Sequence, residues 1–292
     1  MKKISLSSWA IPQPLEELCP GAKRIGYDGI SLGGFPPFGA HPDIVDTPEK
    51  KAALVKTFKD NDMLVADFAL DMWKYDSIKM TKEWRAEYSR ALKCAADLGL
   101  TNIMRVDTCT PPILPDGMTY EDVKQFFVKH FREMAREAAG YGFEVVWEFE
   151  PGFIINEPKN VMWLVEAVNE PNFSLLFDTC HAYNCAIGHR HIEEGCKLPG
   201  GILEFIEMAK GRLGLVHLID SDGTLNDTGT STHAPFGQGY IDFDEVIPAI
   251  LNVAGYETDW WAIDLCEWPN AWEVAEECFK FVDLLNRKYC KD

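Results

Sequence analysis

The sequence is short of basic groups: its 292 residues hold 28 Lys and Arg against 46 Asp and Glu, a net charge of −18 with histidine neutral. Such an acidic excess repels phosphate backbones and anionic bilayers at long range, so neither nucleic acid nor a membrane surface is expected as a partner. No run approaches the roughly 20 apolar residues of a membrane span. The mixed stretch ahead of Pro12 is too short for the apolar core of a secretory leader. No C-x-x-C pair occurs among the nine cysteines. That argues against a zinc knuckle or a disulfide framework and for reduced thiols in a cytoplasm. A glycine-rich phosphate loop is also missing after the first apolar run, where Trp9-Ala-Ile-Pro-Gln-Pro14 stands instead, and this disfavours an open nucleotide-binding sheet. No low-complexity linker divides the chain, so residues 1–292 are expected to form one domain.

What is present is one alternation, repeated. Apolar runs of four to seven residues recur at Ile4–Trp9, Gly29–Gly33, Leu64–Leu70, Asn102–Val106, Glu144–Phe149, Ser174–Phe177, Gly214–Ile219 and Trp260–Leu265. Each is followed by a stretch of helical period: Leu15–Ile25, Pro48–Asn61, Lys82–Leu98, Tyr120–Tyr141, Pro158–Asn169, Gly200–Lys210, Asp242–Ala254 and Ala271–Lys288. Thr47-Pro48 and Glu157-Pro158 place proline in a first helical turn, where its missing N–H costs nothing. Glu144-Val-Val-Trp-Glu-Phe149 is close to the continuous apolar run of a strand covered on both faces. Eight strand–helix units in a chain of this length predict an α/β fold, a single (β/α)8 TIM barrel.

In such a barrel the chemistry sits at the C-terminal ends of the strands. The polar residues there are Ser7 and Ser8, Asp71, Arg105 and Asp107, Glu148 and Glu150, Asp178 and His181, His217, Asp220 and Asp222, and Asp264 and Glu267. One residue from each of strands five to eight, Glu150, Asp178, His217 and Asp264, makes an oxygen-rich donor set with one imidazole. That set suits Mn²⁺ or Mg²⁺, with Zn²⁺, Fe²⁺ or Co²⁺ as further candidates. Any one strand-end carboxylate is more often a cap, and a lone strand histidine more often a bonded core residue. Four on consecutive strands outweigh that.

Three segments carry a resemblance. Trp147-Glu-Phe-Glu-Pro-Gly152, Leu176-Phe-Asp-Thr-Cys-His-Ala182 and Val216-His-Leu-Ile-Asp-Ser-Asp-Gly223, followed by Phe236-Gly-Gln-Gly239, are similar to the xylose-isomerase-like TIM barrels. That superfamily includes ketose 3-epimerases, inosose-processing enzymes and endonuclease IV. The resemblance implies that Glu150, Asp178, His217 and Asp264 bind a divalent metal. Epimerases of the family generally have Glu where Asp264 stands. The endonuclease branch needs more histidines than the seven here, of which His189 and His191 sit together. Within the superfamily, Ser8-Trp-Ala10, Gly33-Gly-Phe-Pro-Pro37, Arg105-Val-Asp-Thr108, Ser231-Thr-His-Ala-Pro-Phe-Gly237 and Trp260-Trp-Ala-Ile-Asp-Leu-Cys-Glu-Trp268 look like the barrel subunit of bacterial C-glycoside deglycosidases.

The expected function is then a metal-dependent lyase on 3-oxo-glycosides, which removes the proton beside the ketone and expels the aglycone from the enolate. The alternative is a ketose or cyclitol epimerase or isomerase, and a minor one is a non-catalytic sugar-binding subunit. His181 and Glu148 are the candidate bases, since an imidazole titrates near neutrality and period two aims Glu148 and Glu150 to the same side. Arg105, Asp107, Asp220, His233 and Trp9 are candidate substrate contacts, with Phe35, Trp73 and Trp268 as further aromatics at strand exits. The resemblance also implies a small β-rich partner subunit, and an oligomer is expected.

Overall fold

The computed structural model describes residues 1–35, 39–70, 72, 74–190, 192 and 197–290. Asp71, Trp73, His191 and the Pro36-Pro37 pair lie outside the described residues. Eight parallel strands close on themselves: β1 (Lys3–Ser7), β2 (Gly29–Gly33), β3 (Leu64–Ala69), β4 (Ile103–Val106), β5 (Glu144–Glu148), β6 (Phe173–Asp178), β7 (Leu213–Leu218) and β10 (Trp260–Ile263). Closure is made by β1, which pairs with both β2 and β10. Helices α1 (Leu15–Ile25), α2 (Pro48–Asp60), α3 (Thr81–Leu98), α4 (Tyr120–Ala139), α5 (Pro158–Val168), α7 (Gly201–Met208), α8 (Phe243–Asn252) and α9 (Ala271–Tyr289) connect the strands. This is the (β/α)8 barrel that the alternation implies.

Local chemistry starts the helices where the sequence places them. Thr47 accepts a hydrogen bond from Lys50 N ahead of Pro48, and Thr119 and Asp122 form a reciprocal capping box at the head of α4. Three features depart from the sequence expectation. The first strand stops at Ser7 and gives way to a single 3₁₀ turn, Ser8–Ala10. A short helix, α6 (Thr179–Ala186), starts directly on the last residue of β6, whose Asp178 side chain caps it. Finally, the segment after β7 is an antiparallel hairpin, β8 (Asp220–Leu225) and β9 (Ser231–Ala234). Its polar, non-alternating residues carry no period-two signal.

Two apolar layers hold the barrel. The larger lies between strands and helices and is filled by Trp84, Phe127, Phe131, Trp147, Phe149, Phe177 and Phe205 among others. The smaller is a floor inside the barrel, built from Ala66, Val146, Leu176, Leu215 and Trp260. Gly29 belongs to this floor, because a Cβ there would lie 2.7 Å from the Trp260 ring and 2.9 Å from the Leu64 carbonyl oxygen. Among the described residues no helix is long and apolar enough to cross a membrane.

His130 on α4 is buried among Trp84, Phe126, Phe127 and Phe131, and its Nε2 has no hydrogen-bond partner among the described residues. Burial, with Arg85 nearby, pushes it down to about 3. The unfolded chain therefore binds a proton that the folded one refuses. This contribution to stability is complete above about pH 6.5 and is lost as pH falls toward 3. Relative to His130→Phe, the wild type should lose about 2 kcal/mol between pH 7 and pH 5, measured by urea unfolding at each pH. Parallel curves for the two proteins would refute this.

Candidate metal centre

The ends of β5, β6, β7 and β10 aim Glu148, Asp178, His217 and Asp264 at one point in the C-terminal mouth. One ligand atom from each lies within 4.8 Å of the others, and all four side chains are buried. His217 Nδ1 is the hub: Glu148 Oε1 lies 3.2 Å away, Asp264 Oδ2 3.4 Å and Asp178 Oδ2 3.9 Å. Burial disfavours charge on this imidazole, but Glu148 and Asp264 outweigh burial and push it up to about 10. Burial also lifts Asp178 to about 6. Glu148 is held well below the ordinary carboxylate range, because Arg105 and His217 overcome its burial. The same converging charges that hold a proton on His217 would attract a cation.

The donors fit a divalent ion. Glu148 Oε1, Asp178 Oδ2 and both ring nitrogens of His217 are buried without a hydrogen-bond partner among the described residues. Buried polar atoms are rarely left that way, and several converging on one point indicate a missing ligand. Carboxylate oxygens with one imidazole are the donor set of a hard or borderline metal. The remaining atoms hold the donors in place. Asp178 Oδ1 accepts from His181 N at 2.8 Å, and Asp264 Oδ1 accepts from Trp9 Nε1 at 3.0 Å and Cys266 N at 3.1 Å.

Of the two strand-five carboxylates, the structure brings Glu148 into the donor cluster. Period two does aim both to one side, but Glu148 is the last residue of β5, whereas Glu150 lies past the ladder and accepts a hydrogen bond from Thr230 Oγ1. Glu150 is therefore not in the four-residue cluster. Burial and Asp107 push its carboxyl well above its ordinary range. Asp220 is also not brought to the site. Its carboxylate accepts from the main-chain N–H groups of Ser221, Gly237, Gly239 and Ile241 at 2.8–3.1 Å, organising the turn that follows the hairpin.

That turn explains Gly239 in the Phe236-Gly-Gln-Gly239 segment. A Cβ there would lie 2.3 Å from Asp220 Oδ1 and 2.4 Å from the Ser221 carbonyl oxygen. Because main chain has to move, Gly239→Ala should destabilise by about 2 kcal/mol and lower Tm by about 4–8 °C. An unchanged melting curve would remove the steric argument.

Above the cluster is a cavity of about 110 Å³ lined by Trp9, Arg105, Glu150, His181, His233 and Glu267 with hairpin residues Asn226, Thr230 and Ser231. A larger apolar groove of about 800 Å³ lies between the β1–α1 and β2–α2 connections, but none of the four donors lines it. His233 is buried rather than on the surface, and its Nδ1 donates to the Asp264 carbonyl oxygen at 3.0 Å. Its Nε2 lies 3.9 Å from Asp178 Oδ1. His181 Nδ1 pairs with Ser231 Oγ at 2.9 Å, and burial and His233 push the ring down to about 3. Arg105 bridges Glu148 and Asp107, the latter at 3.5 Å, and its guanidinium lies 5.1 Å from the Trp9 ring.

The hairpin bonds across the mouth. Besides Thr230 to Glu150, Asn226 Nδ2 donates to Glu267 and Arg190 Nη1 donates to the Gly229 carbonyl oxygen at 2.8 Å. Asn226 and Thr230 were not among the sequence candidates. The signal that could have found them is the turn-like composition of Asn226-Asp-Thr-Gly-Thr230.

Fold and site together define a closed (β/α)8 barrel with one imidazole among three carboxylates at its strand ends. The chain belongs to the xylose isomerase-like TIM barrel family, whose model matches residues 21–280. It is 24% identical over 259 residues to the fructoselysine 3-epimerase of Escherichia coli O157:H7, covering 84% of this chain and 83% of that protein. Among solved structures, the IOLI protein with a bound zinc atom superposes with a TM-score of 0.74 at 20% identity, over 99% of both chains. The 3-keto-D-glucoside 4-epimerase of E. coli gives 0.70 at 16% identity, over 97% of this chain and 100% of that one. At those identities the structural likenesses speak for the fold.

Proposed function

We propose that the protein is a divalent-metal-dependent epimerase or isomerase of keto-sugars, working by proton transfer at a carbon beside a carbonyl. The observation that carries this is the four-donor cluster, whose Asp264 also lines a cavity with Glu150, His181 and His233 in its walls. Two of the similar proteins, the fructoselysine 3-epimerase and the 3-keto-D-glucoside 4-epimerase, are named for epimerising such compounds, which supports the reading. Glu148, Asp178, His217 and Asp264 would hold the ion, with Mn²⁺ first on donor hardness. Bound there, a divalent cation supplies Lewis-acid stabilisation of charge developing on substrate oxygens.

The chain's own groups handle the proton. The His233 bond to the Asp264 carbonyl keeps hydrogen on Nδ1, so Nε2 offers its lone pair to the site. Glu150, whose carboxyl burial and Asp107 push toward the protonated form, is the candidate donor from another element of the wall. Epimerisation removes a C–H proton to one such group and returns a proton to the opposite face of the same carbon. Trp9 and Arg105 form the wall against which a sugar ring packs.

A second reading keeps the first half of that sequence. With a leaving group on the next carbon, the enolate's electron pair forms a C=C bond and the bond to the aglycone breaks, its electrons and a proton departing with the aglycone. This is the lyase on 3-oxo-glycosides suggested by the likeness to C-glycoside deglycosidases. What favours it is Asp264, one methylene shorter than the Glu that epimerases of the family generally carry at that position.

The test is incubation of the Mn²⁺-loaded protein with free ketoses and 3-keto-glucosides in D₂O, followed by NMR. A new diastereomer with solvent deuterium at the epimerised carbon is the expected result. Aglycone release without a new diastereomer would replace it by elimination. Neither product from any substrate would overturn both readings.

A further inference from the structure

Beneath the donor cluster runs a buried polar chain that the proposed reaction leaves unused. Ser5 Oγ and Ser31 Oγ are 3.2 Å apart, and Ser31 Oγ donates to Asp67 Oδ1. Asp67 is fully buried. Its presence inside the barrel follows from an irregularity in β3. The register pairs Ile30 with Val65 but Leu32 with Phe68, so β3 advances three residues while β2 advances two. Val65 and Phe68 pack into the outer layer and Ala66 into the floor. The extra residue of this bulge turns the Asp67 carboxylate inward as well.

Among the described residues, Asp67 Oδ2 and His217 Nε2 are buried without a hydrogen-bond partner. Burial works against the carboxylate, and His217 is the charged group that does most to favour it. Next to His217 in the ladder is Ala262, and next to Ala262 is Ser5. Both are small, so neither β10 nor β1 places a bulky side chain at this level. A polar space with unsatisfied atoms on both sides is where buried water resides.

We propose that Asp67 is a positioning residue for His217, bonded through buried water to Nε2–H so that the proton stays on Nε2 and the Nδ1 lone pair is presented to the cation. The inference rests on the reading that Glu148, Asp178, His217 and Asp264 hold a metal. Metal-bound imidazoles usually give their other N–H to a carboxylate, carbonyl or water, and loss of that partner commonly weakens the metal 10–100-fold.

The experiment is calorimetric titration of metal-stripped wild type, Asp67→Asn, Asp67→Ala and Ser31→Ala with Zn²⁺, alongside melting curves of the metal-free proteins. NMR of the Zn²⁺-loaded forms then looks for a slowly exchanging imidazole N–H proton. Expected are a 10–100-fold weaker Kd in both Asp67 variants, loss of that N–H signal in Asp67→Ala, and a smaller change in Ser31→Ala. Metal-free Asp67→Asn should melt no lower than wild type, which separates positioning from a merely structural role. Wild-type Zn²⁺ binding that is matched by both Asp67 variants would overturn the role of Asp67 alone. Absence of Zn²⁺ binding by wild type would overturn the metal reading and this inference with it.

Discussion

Asp178→Asn should leave the fold standing while metal and turnover disappear together. Asp178 has two duties, and the substitution separates them. Its Oδ1 caps α6 by accepting from His181 N, a role asparagine fills as well as aspartate. Its Oδ2 faces His217 Nδ1 in the donor cluster, where an amide brings no charge. The variant also removes one of three carboxylates crowded into a buried site, so its metal-free Tm should match or exceed that of wild type. Loss of Lewis-acid stabilisation worth several kcal/mol lowers kcat/KM by about a thousandfold or more. Elemental analysis of the purified variant and steady-state kinetics check the two halves. Stoichiometric metal with near-native turnover would exclude Asp178 from the centre.

Arg105→Met should have the largest effect on stability, and that effect should depend on metal. The Arg105 guanidinium is buried, paired with both Glu148 and Asp107 and packed over Trp9. Removing one partner of a buried ion pair leaves the other charge uncompensated, at a cost of about 3–5 kcal/mol. For a chain of this size that lowers the metal-free Tm by about 10 °C. The cluster becomes more negative, so a divalent ion binds it more tightly and returns part of the loss by mass action. Melts in chelator and in excess Mn²⁺ should show a wider gap between the two conditions for the variant than for wild type. An equal gap would mean that Arg105 and the metal do not share the Glu148 carboxylate.

The barrel was legible because its evidence is periodic. Strands covered on both faces read as apolar runs, and the helices between them read as amphipathic stretches, so boundaries such as Leu15–Ile25 and Gly29–Gly33 coincide with the observed ones. Three of the four clustered donors were legible as well, since each ends or follows a recognisable strand. Glu150 is the Glu before Pro151 that the resemblance implies, and alternation cannot separate it from Glu148, because it gives a side chain's direction and not its height along the barrel axis. The bulge that brings Asp67 inside cancels alternation at that point. Asp220 shows a further limit: an acid in the right segment can spend both oxygens on main-chain N–H groups, and only coordinates reveal it.

The hairpin gives the molecule two independently adjustable parts. The donors belong to barrel strands locked by the closed ladder, whereas the contacts across the mouth come from a five-residue tip, Asn226–Thr230, that belongs to no barrel strand. The cavity beneath it, at about 110 Å³, is smaller than the roughly 300 Å³ at which ligand pockets usually begin. On the proposed function, entry of a sugar would need the Asn226–Glu267 and Thr230–Glu150 bonds to part. Selection among substrates would then be set at this aperture as much as at the ion. A lineage of such proteins could change diet by rewriting five residues while leaving its inorganic chemistry untouched.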